Sequence, residues 1–105
     1  MNTPRAKTKQ EARKDFLDHI HSISEYWANL PDQTSQERCD GLAFSILVML
    51  DGDSMALPAM DIYPHPHPDD KDFLKSQGEN WYDPHIAINN DCALHELWDS
   101  PNKIT

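Results

Sequence analysis

The sequence predicts an α+β fold in which helices dominate: two long antiparallel helices, with a proline-rich extended segment and two short helices packed on them. Three observations predict it. Apolar residues recur at helical spacing through the first half of the chain, prolines alternate with histidines in the middle, and short apolar runs between turn residues fill the rest. A chain of 105 residues fits one domain. Residues 1–9 read as a flexible basic tail and residues 10–105 as one globular body.

In the first helix Phe16, Ile20, Ile23, Trp27 and Leu30 recur at steps of three and four, which places them on one stripe. Leu17 and Tyr26 widen that stripe, and Pro31 ends the helix because the residue before a proline is pushed out of α geometry. Thr34 followed by Glu37 is a capping-box pattern that opens a second helix running from about Ser35 to Leu50. The stretch Leu42–Leu50 is apolar except at Ser45, more than one face accounts for. The second helix is therefore expected to be central, with Leu42, Phe44, Ile46, Leu47 and Leu50 mostly buried. Gly52 suits the left-handed residue after its end.

Beyond it, Leu57–Pro64 and Ile86–Ile88 suggest short extended segments, and Pro64, Pro66 and Pro68 stiffen the run between them. A third helix is expected to start at Pro68 or Asp69 and to end before Gly78, with Asp69, Asp70 and Asp72 in its first turn favoured by the helix dipole. Asp91 reads as the N-cap of a last helix carrying Leu94, Leu97 and Trp98.

Charge is the strongest compositional feature. The net charge is -9, yet residues 1–14 carry five basic side chains against Glu11 alone, leaving 4 basic and 17 acidic groups for the rest. Such a body repels a phosphate backbone, so direct nucleic-acid binding by it is excluded and a basic protein partner is the expected one. A homo-oligomer is also compatible with the sequence. Cys39 and Cys92 stand outside any CxxC spacing and read as small buried thiols in a reducing compartment. No apolar run approaches the roughly 20 residues of a membrane span, and no signal-peptide pattern is present, so the expected location is cytoplasmic.

Three groups of residues are candidates for function. His65, His67, Asp69 and Asp70 are the ligand types of divalent metals, and His95, or alternatively His85, is the candidate to complete a site for one metal ion. A metal-dependent hydrolase is the alternative function. The competing reading of the same letters is a helix start. His95-Glu96 invites a general acid/base role, but HExxH is not completed. Finally Asp69, Asp70, Asp72, Glu79, Trp81 and Tyr82 form an acidic and aromatic set suited to a protein interface, which makes a small acidic protein-binding or regulatory protein, with no cofactor, the leading function. Serine nucleophile motifs and phosphate-binding glycine loops are missing, as three glycines in all make such loops hard to build.

The string HPDD resembles the metal motif of the zinc-dependent GlcNAc deacetylase (LmbE-like) family, where it follows the first strand of a Rossmann-like domain and is followed by Glu. Here Lys71 stands in that place and two helices precede the motif. The segments GLAFSILVMLDGDS, PHPDDKDF, GENWYD and ALHELW, taken together, resemble a small family of bacterial and phage proteins. That resemblance implies no activity and no catalytic residue.

Overall fold

The computed structural model describes residues 3–98. The expected domain limits at residues 1 and 105 lie outside them. The described residues form four helices: α1 (Lys9–Asn29), α2 (Ser35–Leu50), α3 (Asp70–Ser76) and α4 (Leu94–Leu97). The fold is mostly helical, and the expected α+β class is corrected, since no described residue lies in a strand. The two segments expected to be extended do approach each other. They meet through one backbone bond, Ile88 N–H to the Ile62 carbonyl at 2.8 Å, and through the Asn89 side chain, which accepts from Ile62 N–H and donates to the Met60 carbonyl, both at 2.8 Å. A side-chain amide thus stands where a second ladder bond would be. Prolines at 58, 64 and 66 remove donors around this point, so no ladder extends from it.

Both long helices open with complete capping boxes. Thr8 pairs with Glu11 and Thr34 with Glu37, each hydroxyl accepting from the N3 N–H and each carboxylate from the cap N–H. The Arg5 guanidinium first, and then the Thr8 N–H, hold the Glu11 carboxyl at about 2. Arg5 and Lys7 lie back on α1, Lys7 pairing with Asp15. The basic N-terminal residues thus run along the first turns of a helix that begins at Lys9. Two helices stop in the same way. After α2, Gly52 N–H bonds the Met49 carbonyl and Asp53 N–H bonds that of Val48. After α3, Gly78 and Glu79 bond the carbonyls of Lys75 and Leu74. These are Schellman motifs, and they require the positive φ of Gly52 (83°) and Gly78 (72°).

The α1 stripe is the one the spacing predicts: Phe16, Ile20, Ile23, Trp27 and Leu30 are half-buried while Leu17 and Tyr26 stay exposed. Trp27 lies against α2 and donates its Nε1–H to Ser45 Oγ at 2.9 Å. Arg38 donates to the Leu30 carbonyl at 3.0 Å, satisfying an acceptor at the C-terminus of α1, whose last turn has no basic residue of its own. Close approach is possible because position 41 lacks a side chain. A Cβ there would fall 2.5 Å from the Trp27 ring. Alanine favours a helix interior over glycine by about 1 kcal/mol, while forcing a bulky ring aside costs about 1–3 kcal/mol. Gly41→Ala is therefore expected to lower the unfolding free energy by about 1 kcal/mol in a denaturant titration. An increase would mean that Trp27 swings away without loss.

The core is small. Only Met49, Ala87 and Asn89 are buried among the described residues. The expectation of a thoroughly covered α2 is corrected: Leu42, Ile46, Leu47 and Leu50 are half-buried and Phe44 is exposed. The chain has too little material to cover a helix that is apolar on several sides. The radius of gyration is 17.8 Å, against about 13 Å for a compact chain of this length. The accessible surface is 8687 Å², against about 6,000 Å² for a compact 12.1 kDa protein.

Candidate functional site

The site best built by the fold is a cleft of about 430 Å³ between the entrance of α3 and the segment that follows it. One wall is Pro66, His67, Pro68, Asp70, Lys71 and Leu74; the other is Trp81, Tyr82, Asp83, Pro84 and His85. The Schellman turn at Gly78 reverses the chain after α3 and brings residues 81–85 back across its start. There Asp83 Oδ1 accepts from His85 N–H at 2.8 Å and closes a short turn. The Lys71 ammonium lies 5.3 Å from the centre of the Trp81 ring. Trp81 and Tyr82 remain 42% and 72% exposed.

The HPDD string serves as a helix entrance. The His67 ring nitrogen Nδ1 accepts from Asp69 N–H at 3.2 Å, and Asp70 Oδ2 accepts from His67 N–H at 3.0 Å. With Pro68 between them and Asp70 N–H bonded to the His67 carbonyl at 3.0 Å, residues 67–70 form a turn directly ahead of α3, whose N-cap residue, Asp69, makes no side-chain cap bond. Both side chains are therefore engaged in starting α3. His65 lines a neighbouring cleft with Ile62, Tyr63 and Ile88, one that His67 does not line although the two clefts share Pro66, Asp70 and Tyr82. No group of three or more His, Cys, Asp and Glu among the described residues is arranged to hold a metal ion. The deacetylase-like motif also lacks the strand that would precede it.

His95 belongs to a second constellation, at the end of α2. Asp51, with 2% of its side chain exposed, accepts from Leu94 N–H at 2.9 Å, from His95 N–H at 2.8 Å and from His95 Nδ1 at 2.6 Å. A carboxylate can only accept, so Nδ1 carries the hydrogen. Burial alone would push the Asp51 carboxyl up; the backbone N–H groups of His95 and Leu94, joined by the His95 ring, outweigh it and hold the group below its ordinary range. The imidazole stands edge-on to Phe44, with centroids 5.7 Å apart, and its Nε2 faces Asp53 Oδ2 at 3.5 Å. An Asp–His pair orients the base in many hydrolases, but here the far nitrogen meets a second carboxylate in place of a hydroxyl or thiol. The pair clamps α4 onto α2. Asp51 also caps α4 from another helix, correcting the expectation that Asp91 does so: the N-cap residue is Ala93, without a side-chain bond.

Of the interface residues read from the sequence, Asp70, Trp81 and Tyr82 meet in the cleft, while Asp69, Asp72 and Glu79 are exposed on the segments flanking it. Lys71 was not legible as part of the set, because nothing in the spacing of residues 71 and 81 signals their contact. Cys39 and Cys92 are exposed, a correction to the expectation of buried thiols. The Cys92 thiol is pushed up, by desolvation first and then by the charges of Asp91 and Asp51, which keeps it protonated and weakly nucleophilic. No described helix is long and apolar enough to cross a membrane. Compared with protein-family models, curated proteins and solved structures, the chain matches none.

Proposed function

We propose that the chain is a small acidic protein-binding or regulatory protein whose open surface is completed by a protein partner. The observation that carries this reading is the amount of apolar surface left uncovered: Leu17, Tyr26, Tyr63, Phe73, Tyr82, Ile86 and Ile88 are all more than half exposed, while Met49 is the one large side chain fully buried among the described residues. The surface in excess of a compact monomer is on the order of 2,500 Å², and a standard interface covers about 800 Å² on each partner. Of these side chains, Tyr63, Tyr82 and Ile88 line one cleft, and clustered exposed apolar side chains are characteristic of association sites. The charge of the body selects the partner's sign, since 17 acidic groups against 4 basic ones attract a basic protein and discourage self-association.

Tyr82→Ala combined with Phe73→Ala removes two exposed aromatics, and neither is part of the small core. On gentle purification at low salt, the parent chain should elute in an assembly well above 12.1 kDa, and the double variant largely alone. Its own stability should change by less than about 0.5 kcal/mol per site. A parent chain that elutes as a compact monomer, unfolds cooperatively by itself and fails to bind a hydrophobic dye would exclude the reading.

A further inference from the structure

We propose that the cleft between α3 and Trp81 is a receptor for an arginine-bearing segment of the partner, and that Lys71 is its internal competitor. This rests on the protein-binding reading and names the chemistry the cleft recognises. The carrying observation is where Lys71 goes. In a chain with 18 acidic residues its ammonium forms no ion pair among the described residues and lies over the Trp81 ring at 5.3 Å. That contact marks the indole face as a cation site, because the ring quadrupole attracts positive charge.

The surroundings fit a guanidinium better than they fit the resident ammonium. Asp70 and Asp83 stand on opposite walls, and each uses one named carboxylate oxygen for a local backbone N–H, leaving acceptor capacity for a planar donor. Asp69 and Asp72 add negative potential on the same helix start. Tyr82, largely exposed, offers a second aromatic surface on which a guanidinium can stack. Lys71 is tethered to α3 beside the ring, so it occupies the face whenever no partner does. An arriving arginine must displace it, and the displaced ammonium returns to water, where it is well solvated. The volume of about 430 Å³ lies within the range of small-ligand sites and accommodates one long side chain with its backbone.

The test uses the full chain and an end-blocked Gly-Arg-Gly-Arg-Gly-Arg peptide, with binding followed by the NMR shift of the Trp81 indole N–H and by calorimetry. Versions carrying lysine or uncharged citrulline in place of arginine, and adenosine monophosphate as an anionic aromatic, complete the set of probes. The arginine peptide should bind tightest and citrulline should not bind. Lys71→Met should tighten arginine binding about three-fold, whereas Lys75→Met, which makes the same charge change one helical turn along α3 and outside the cleft lining, should alter it by less than half of that.

Trp81→Leu leaves the net charge unchanged and should weaken binding about five-fold, with Trp81→Phe in between. The Phe variant keeps the test valid should the Leu variant fold poorly by circular dichroism. Equal effects of Lys71→Met and Lys75→Met would overturn the competitor role. Unchanged binding in both Trp81 variants, or a shift of the indole by adenosine monophosphate and not by the peptide, would overturn the receptor. Neither result touches the protein-binding reading, which stands or falls on the assembly state of the parent chain and the Tyr82 and Phe73 double variant.

Discussion

Asp51→Ala is expected to release α4 from the end of α2 and to lower the unfolding free energy by about 3 kcal/mol. The substitution removes one side chain and strands three donors: the N–H groups of Leu94 and His95 and the Nδ1–H of the imidazole. Losing a hydrogen bond to a charged group costs about 1.5–3 kcal/mol, and a donor left unpaired inside adds its desolvation. A helix of four residues cannot persist without such an anchor, since isolated short helices are unstable in water. Hydrogen exchange should show protection lost at Leu94–Leu97 before it is lost at α1.

The same carboxylate sets a pH dependence. Its folded pKa lies below the unfolded value of 3.8, so the native state binds the proton less tightly than the unfolded chain does. The stabilisation is therefore complete above that value, and it is lost as pH falls through the lower folded one. Denaturant titrations should give a difference between parent and Asp51→Asn that is constant from about pH 5 to 7 and shrinks below about pH 4. A difference that persists undiminished at about pH 2 would mean that Asp51 stabilises by shape alone.

What the sequence discloses here is local, and what it conceals is long-range. The α1 stripe, the Thr34–Glu37 box, the glycine after α2 and the end of α3 before Gly78 all follow from residues within four positions of one another, the reach of helical hydrogen bonding. The clamp of Asp51 on His95 spans 44 positions and the Asn89 bridge to Ile62 spans 27, and no spacing rule relates such residues. Strands were expected because short apolar runs read as strands. They fail to form because one side-chain amide and one backbone bond do the pairing between prolines that cannot donate. The cleft was half legible: acids and aromatics were visible as a set, but the cation lying on Trp81 depends on how the Gly78 turn folds the chain back.

The apolar run of α2 was read correctly as a helix, but the expected cover on several sides is not there: only Met49 of it is buried. Phe44 is 36% exposed and Met49 is 1% exposed on the same helix. These two positions separate the chain's own core from the surface a partner would complete. Met49→Ala should cost the isolated chain about 2–5 kcal/mol, because the fold closes around this side chain and leaves a cavity when it is truncated. With so little other burial, that loss is a large share of a typical total of about 5–15 kcal/mol, and the variant should lose its cooperative transition at a lower denaturant concentration than any surface substitution. Phe44→Ala should behave differently. It is 36% exposed and stands edge-on to the His95 ring, so its cost in the isolated chain should stay below that of the fully buried Met49. If a partner of the kind proposed above covers α2, the cost in the assembly should rise toward that of Met49. Measuring both variants by thermal unfolding, alone and in the assembly, compares the two directly. A Phe44→Ala cost that is the same in both states places the partner elsewhere on the surface, whereas a rise confined to the assembly locates it on α2.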